Sequence, residues 1–421
     1  MKQLSRNYYL WQLTVILVLL PYCEVHGHLH EKPWGQAQYY YIKSPTGGKI
    51  YCQINSNSNT ARIGGYYNGC RFGDFGRLGA WGDRRRQEVR GHVTLPERVE
   101  VRRCNELSDE DYTVGVFTLV GLESQAFKNC EDLVSITLPN SIQYIKDSAF
   151  KGCKNLTTIN LSSNINDVDF MFAQGCMRLQ AINVNGGTGT GFHSFDGILC
   201  RNGVTFYCPR GHSGTIRIPA DIKGVGKESF RNCEQISEVI VGNGVQYIEE
   251  KAFENCTILS NLVIPGNVKR ISNNAFQGCT LLSNVKFGDG ISEIGAGTFS
   301  NCISLKEAIL PKGLQSLSNE AFKNCLALEH LILPEGLNYI STETFAFCSS
   351  LREVKLPSTI EWIYENAFMG CSALEKVILG PKVKTIYRYA FFSCTNLTSI
   401  NVPKQAKVYD EAFMECYKLH R

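Results

Sequence analysis

Twelve of the 18 cysteines in this 421-residue chain stand on one ruler. Cys130, Cys153 and Cys176 are followed by Cys233, Cys256, Cys279, Cys302, Cys325, Cys348, Cys371, Cys394 and Cys416. The step is 23 residues, apart from one gap of 57 and a last step of 22; the gap is two periods plus 11 residues. A fixed period of this length is the mark of a repeat architecture, in which each unit is too small to bury its own apolar face and does so against its neighbours.

The units read alike. In "ISEIGAGTFSNCISLKEAILPKG", Ile294 is followed by Thr298-Phe299, Cys302, Leu305 and an alternating end, Ala308, Leu310, Pro311. Segments such as "LSNLVI", "LKEAIL" and "LEKVIL" are versions of one strand with period-two alternation, closed by Pro or Gly. The Ala-Phe-x-x-Cys portion reads as a single helical turn. The residue before the cysteine is Asn or Gly in nine of the twelve units, the types that tolerate the left-handed conformation ending a turn. Cysteine then serves there as a small hydrophobe. The expected fold is an α/β-type repeat solenoid of parallel strands and short helical turns, with strands about 4.8 Å apart from coil to coil. The repeat thiols are expected to be free and buried, because side chains stacked in one column point the same way rather than at each other.

The motif I-x-x-x-A-F-x-x-C-x-x-L, as in "ISNNAFQGCTLL" and "IYENAFMGCSAL", resembles the BspA-like leucine-rich repeats over about 300 residues. Proteins of that family are surface or secreted proteins of bacteria and some protists. The resemblance implies a leucine-rich-repeat stack and an adhesin that binds host proteins or other cells.

Three regions are expected. Lys2 and Arg6 precede "YLWQLTVILVLLPYC", which reads as an export signal over residues 1–27. Cys23 offers the alternative of a lipid anchor. Residues 28–91 carry short strand patterns such as "AQYYYI" and "KIYCQI" and read as a β-rich cap. Residues 92–421 read as the repeat stack, interrupted near 186–213 by a hairpin, "GILC-RNG-VTFYC", with Asn202-Gly203 at its turn. The third unit, "FMFAQGC", reverses the usual order as Phe172-Ala173, and the chain stops mid-repeat at "CYKLHR", so that a bare last coil or a partner at Arg421 is expected. The chain is read as secreted or held at the cell surface, with no membrane span in the mature protein.

Other features carry little chemistry. Asp74-Phe75-Gly76 lacks the company that a kinase needs. Arg77, Arg84, Arg85, Arg86 and Arg90 read as a solvated loop with an anion-binding alternative, and His28 and His30 as a frayed terminus rather than a metal site. A net charge of +4 gives no reason to propose a nucleic acid. Of the six cysteines off the ruler, Cys23, Cys52, Cys70, Cys104, Cys200 and Cys208, Cys52 with Cys70 and Cys200 with Cys208 are possible disulfides in an oxidising compartment. Asn155, Asn160, Asn255 and Asn396 stand in glycosylation sequons, Asn255 awkwardly so at the tight turn. No catalytic constellation, metal set or cofactor motif emerges, and the chain is read as a non-enzyme.

The expected site is the outward strand face. One column holds Glu238, Asn261, Asn284, Glu307, His330, Glu353, Lys376 and Ser399. The next holds Ile240, Val263, Lys286, Ile309, Ile332, Lys355, Ile378 and Asn401, of which five are Ile or Val. An outward apolar stripe fits an extracellular protein ligand, a host matrix or cell-surface protein among them; ordinary β-propensity is the plain alternative. From a different class, a carbohydrate-binding or enzyme-associated module would place specificity in the arginine loop or the N-terminal cap.

Overall fold

The computed structural model describes residues 39–44, 49–55, 57–64, 66–67, 70–71, 89–104, 112–186 and 191–419. The export signal, Cys23, His28, His30, Asp74-Phe75-Gly76, Arg77, Arg84–Arg86 and Arg421 lie outside them. The chain divides into two compact units, one ending at Ser194 and one beginning at Phe195.

The second unit shows the coil most plainly. Each coil contributes one longer strand, among them Ile236–Ile240, Asn261–Ile264, Asn284–Phe287, Glu307–Ile309 and His330–Ile332. It also contributes a two-residue strand, such as Tyr247–Ile248, Arg270–Ile271 and Glu293–Ile294. Both kinds pair in parallel with their counterparts 23 residues on: Val239 opposes Leu262 and then Val285, and Ile248 opposes Ile271 and then Ile294. Because the repeat length is constant, the same side chain recurs at the same height in every coil, and the core is built of columns.

The phenylalanine column is the largest. From Phe230 to Phe413, eight successive ring pairs stack with centroids 4.7–5.7 Å apart and planes within 3–17° of parallel. Each such contact adds about 0.5–1.5 kcal/mol beyond the area it buries. In the first unit Phe127 and Phe150 stack in the same way, at 5.5 Å and 7°. Phe150 and Phe172 instead meet edge-on, at 6.4 Å and 79°. The reversed Phe172-Ala173 explains this: the ring springs from the backbone position where other coils carry alanine, yet it is still fully buried.

The corner is not a helical turn. Among the described residues the one helical element near a corner is the 3-10 turn Asp410–Phe413. Elsewhere the amides alternate in destination. Ala252, Glu254 and Cys256 donate three residues back, to Glu249, Lys251 and Phe253, at 3.1–3.3 Å. Lys251, Phe253 and Asn255 donate to the next coil, to Asn273, Ala275 and Gln277, at 2.7–3.0 Å. The alternation is forced by two left-handed residues in ten of the twelve corners, here Lys251 (φ 57°) and Asn255 (φ 59°). They break the run of right-handed residues that an α-helix requires and aim every second amide across the coil boundary. Each of the nine Asn or Gly residues preceding a repeat cysteine has a positive φ, and so do Phe347, Ser393 and Glu415 in the other three coils.

The insertion at the start of the second unit is an antiparallel hairpin, Ile198–Arg201 with Val204–Tyr207. Asn202 (φ 53°) and Gly203 (φ 74°) form its turn, the pair of positive φ values that matches the twist of a two-residue hairpin. Gly214–Arg217 then rejoins the parallel sheet beside Ile236–Ile240.

The first unit contains a closed barrel ahead of its coils. Its five strands are Tyr39–Lys43, Lys49–Asn55, Thr60–Ile63, Arg98–Cys104 and Tyr112–Leu122. Ile50, Cys52, Ala61, Ile63, Val99, Val101, Phe117 and Leu119 are buried within it. The barrel thus draws its last two strands from beyond residue 92. Gly91–Thr94, between them and the third strand, lies in the coil sheet beside Leu133–Thr137. The fifth strand serves both structures, its end pairing with Tyr144–Ile145 of the first coil. Gly121 is needed there, because a Cβ would run into the ring of Tyr144.

Phe299→Ala, with a ring stacked on each side, should cost about 3–5 kcal/mol, and exposed Ile303→Ala less than about 0.5 kcal/mol. Urea unfolding of the two variants checks this; equal losses would contradict the columnar core.

Candidate partner-binding face

Sheet register assembles the predicted columns. Glu238 opposes Asn261 and then Asn284, and Ile240 opposes Val263 and then Lys286. Glu307 and Ile309 oppose His330 and Ile332, and Glu353 and Lys355 oppose Lys376 and Ile378. Val263, Ile309 and Ile332 are 43%, 50% and 55% exposed, large values for branched aliphatic side chains on a regular sheet. Lys286, His330 and Lys355 are exposed, and Ile240 and Ile378 are half-buried. Lys376 pairs with Glu353 at 2.8 Å across one coil boundary.

A second apolar set was not read from the sequence. Ile258, Leu281, Ile303 and Leu326 are 40–51% exposed and lie one or two residues after the repeat cysteine, at the entrance to the strand. The available signal was compositional: later coils carry Ser349, Ser372 and Thr395 just after the cysteine. Three of these coils, with Ile258 and Val263, Ile303 and Ile309, and Leu326 and Ile332, therefore carry exposed aliphatic groups at both ends of their strands, while Leu281 is matched by Lys286.

The strand face of the first unit is different. Its outward positions are small and polar and bond to one another. His92 Nδ1 lies 2.7 Å from Ser135 Oγ; Asn160 donates to Thr137 at 3.1 Å and accepts from Asn183 at 3.0 Å. Arg90, the described member of the arginine-rich stretch, is exposed and faces Asp132 at 3.4 Å.

The repeat thiols are free, and all but Cys416 are buried. They do more than fill space. The S–H of Cys256, Cys279, Cys302, Cys325 and Cys348 donates to the phenylalanine carbonyl of the preceding coil at 3.2–3.3 Å. Cys153, Cys176, Cys371, Cys394 and Cys416 do likewise at 3.0–3.2 Å. That carbonyl also accepts the amide of the cysteine in its own coil, so both of its lone pairs are used. Burial pushes the thiols of Cys256, Cys279, Cys302, Cys325, Cys348 and Cys394 well above the ordinary value of 9.0, and that of Cys371 up to about 12. A thiol held protonated is a poor nucleophile.

Neither possible disulfide forms. Cys200 and Cys208 are free because the hairpin register sets Cys200 opposite Thr205 and leaves Cys208 beyond the strand end. Cys52 is a buried free thiol inside the barrel, flanked by Tyr40 and Ile63, whereas Cys70 pairs with Tyr67 in a separate two-stranded ribbon. The sequon amides are also occupied: Asn155, Asn160, Asn255 and Asn396 each donate Nδ2 to the preceding coil at 2.8–3.1 Å. Among the described residues no cluster of metal-ligating side chains is found, and no helix is long and apolar enough to cross a membrane.

Parallel coils of this period, each with an inward leucine after the corner (isoleucine at Ile236), define a leucine-rich-repeat protein. The family model described as the BspA type leucine rich repeat region, in six copies, matches residues 117–201, 203–329 and 315–421, and the chain belongs to that family. Among curated proteins there is no significant match. Three solved structures are similar. A leucine rich cell surface protein from Faecalibacterium prausnitzii is 21% identical, with 84% of this chain and 93% of that one covered and a TM-score of 0.48. A leucine-rich repeat protein from Bacteroides ovatus is 19% identical (86% and 97% covered, TM-score 0.47), and the pneumococcal vaccine antigen PcpA 17% identical (88% and 93%, TM-score 0.43).

An alkylating thiol reagent at neutral pH should leave the buried repeat cysteines from Cys233 to Cys394 unmodified for hours and label them all after denaturation, read by intact mass. Rapid stoichiometric labelling of the native chain would show that the thiols are accessible.

Proposed function

We propose that this chain is an extracellular recognition protein whose strand face in the second unit binds a protein ligand. The observation that carries the reading is the run of exposed aliphatic side chains, Val263, Ile309 and Ile332, on a face whose counterpart in the first unit is small and polar. A regular sheet needs no such groups at outward positions, and an exposed apolar stripe costs solubility unless something covers it. The polar column beside it, Asn261, Asn284, Glu307 and His330, would supply orientation and specificity. The stripe stands on a stiff scaffold, so binding there orders little backbone.

The N-terminal sequence and the family support an extracellular location. Residues 1–27 act as an export signal, ahead of the barrel, whose strands run from Tyr39 to Leu122, and of the repeats. The mature protein is secreted or held at the surface, with acylation at Cys23 as the alternative mode of retention. A relative from Faecalibacterium prausnitzii is described as a cell surface protein, which supports the same placement. The ligand class is an extracellular protein, and adhesion to a host or neighbouring cell is the role that follows.

The test is the double substitution Ile309→Glu with Ile332→Glu. Fluorescently labelled full-length protein is applied to cultured epithelial cells and to decellularised matrix. Two buried charges at the centre of an interface should weaken retention by at least about tenfold, with the circular dichroism spectrum unchanged. A control at exposed Lys382→Glu should bind as the parent does. Undiminished retention of the double variant would reject the face.

A further inference from the structure

The barrel of the first unit has a connectivity with consequences of its own. Its first strand pairs antiparallel with the second, and the second with the third. The third pairs in parallel with the fifth, the fifth antiparallel with the fourth, and the fourth antiparallel with the first, closing the ring. The order first–second–third–fifth–fourth, with a single parallel pair, is that of the five-stranded Greek-key barrel known as the OB-fold. Such barrels bind oligonucleotides and oligosaccharides across the second and third strands. Connectivity alone assigns no ligand, which must be argued from the residues at the site.

At that place the surface is hollowed. A cavity of about 350 Å3 is lined by Gln53, Ile54 and Asn55 of the second strand, Asn57 of the connecting turn and Arg62 of the third strand. This lies within the range of about 300–1,000 Å3 found for small-molecule sites. Three carboxamides and a guanidinium surround one aliphatic side chain. A carboxamide both donates and accepts, as does a sugar hydroxyl, so carboxamides at strand spacing suit a run of hydroxyls. Two of the polar groups are held in place. Asn55 Oδ1 accepts the amides of Asn57 at 3.1 Å and Ser58 at 3.3 Å. The guanidinium of Arg62 faces Glu123 at 3.5 Å, and Glu123 also accepts the Tyr144 hydroxyl at 2.7 Å.

The charge decides between the two ligand classes. A nucleic acid strand is held chiefly by cations that neutralise its phosphates. Among the described residues lining this cavity Arg62 is the one cation, and its charge is already balanced by Glu123. We propose that the barrel is a second binding site, for a neutral oligosaccharide, with Asn55, Asn57 and Arg62 bonding its hydroxyls. The site is separate from the strand face and its chemistry does not depend on it.

The test applies the full-length chain to a printed array of neutral mannose-, galactose- and N-acetylglucosamine-terminated oligosaccharides, with heparin and a thymidylate decamer as polyanion probes. The expected result is retention on a subset of the neutral glycans that persists in molar salt. Asn57→Ala combined with Arg62→Ala should lower that affinity at least about tenfold through lost hydrogen bonds, with an unchanged circular dichroism spectrum. Ile309→Glu with Ile332→Glu should leave it as it was, which separates this site from the strand face. Retention on no neutral glycan, capture of only heparin or the decamer with steep salt dependence, or glycan affinity that the Asn57/Arg62 variant retains, would each overturn the proposal.

Discussion

Hydrogen bonds between consecutive coils at the corner set the terms for the rest of the repeat structure. Every second corner amide from Gln125 to Gly152 in the first unit, and from Glu228 to Ser393 in the second with Tyr389 excepted, donates forward by one coil at 2.6–3.4 Å. Bonds of that kind admit one spacing and one register. Once they form, phenylalanine rings 23 residues apart are brought into stacking register, and ten of the twelve repeat cysteines lie beneath the phenylalanine carbonyl of the coil before them. A buried carbonyl left half-satisfied would be costly, and the thiol meets that demand while remaining apolar enough to pack. Serine would carry a more strongly hydrated hydroxyl on a shorter arm, and alanine would offer no donor. The repeated cysteine therefore answers two requirements of one small space.

Much of this frame can be read from the chain. The constancy of the period dictates parallel pairing, and the alternation in segments such as Leu305–Leu310 gives the inward and outward sets correctly, because period-two alternation is a local property. Asn129, Asn255 and Asn301 announce a left-handed backbone because few other residues occupy that region willingly. The second left-handed position of the corner is less legible: it is Asn274, Gly297 or Asn366 in three coils, but in others Gln125, Ser148, Glu228, Lys251, Glu320, Glu343 or Tyr389, which have no such preference, and there the neighbouring coil imposes it. With one of the two breaks hidden, a short helix was the natural expectation and the forward-donating turn was missed. Barrel closure was hidden for another reason. It joins Tyr39–Lys43 to Arg98–Cys104, and pairing across so many residues leaves no local pattern. The face predicted for binding was legible as two columns, whereas the exposed set of Ile258, Leu281, Ile303 and Leu326 falls between corner and strand, where no periodicity points outward.

A frame whose stability lies in interior columns leaves its outer positions free to vary. The two units use this differently. In the first, Thr137, Asn160 and Asn183 bond to one another along the strand face. In the second, the equivalent surface presents aliphatic groups and charges, some paired between coils, as Lys376 is with Glu353. Ion pairs on such a surface contribute little to stability, commonly under about 1 kcal/mol each, so their placement is better understood as shaping a surface than as holding the coils together. The recognition proposed for the strand face and for the barrel would then rest on side chains whose replacement leaves the scaffold standing.

The infrared S–H stretching band tests the account at its centre, because it reports directly on whether the thiols donate hydrogen bonds and falls where other protein groups do not absorb. The native chain should show one dominant band shifted to lower frequency than in the urea-unfolded chain, narrowed by the near-identical geometry of the ten thiols bonded to phenylalanine carbonyls. Cys302→Ala should remove a proportionate share of its area. A native band at the unfolded position would contradict the account, and would leave the repeated cysteine as a small apolar filler with no part in joining one coil to the next.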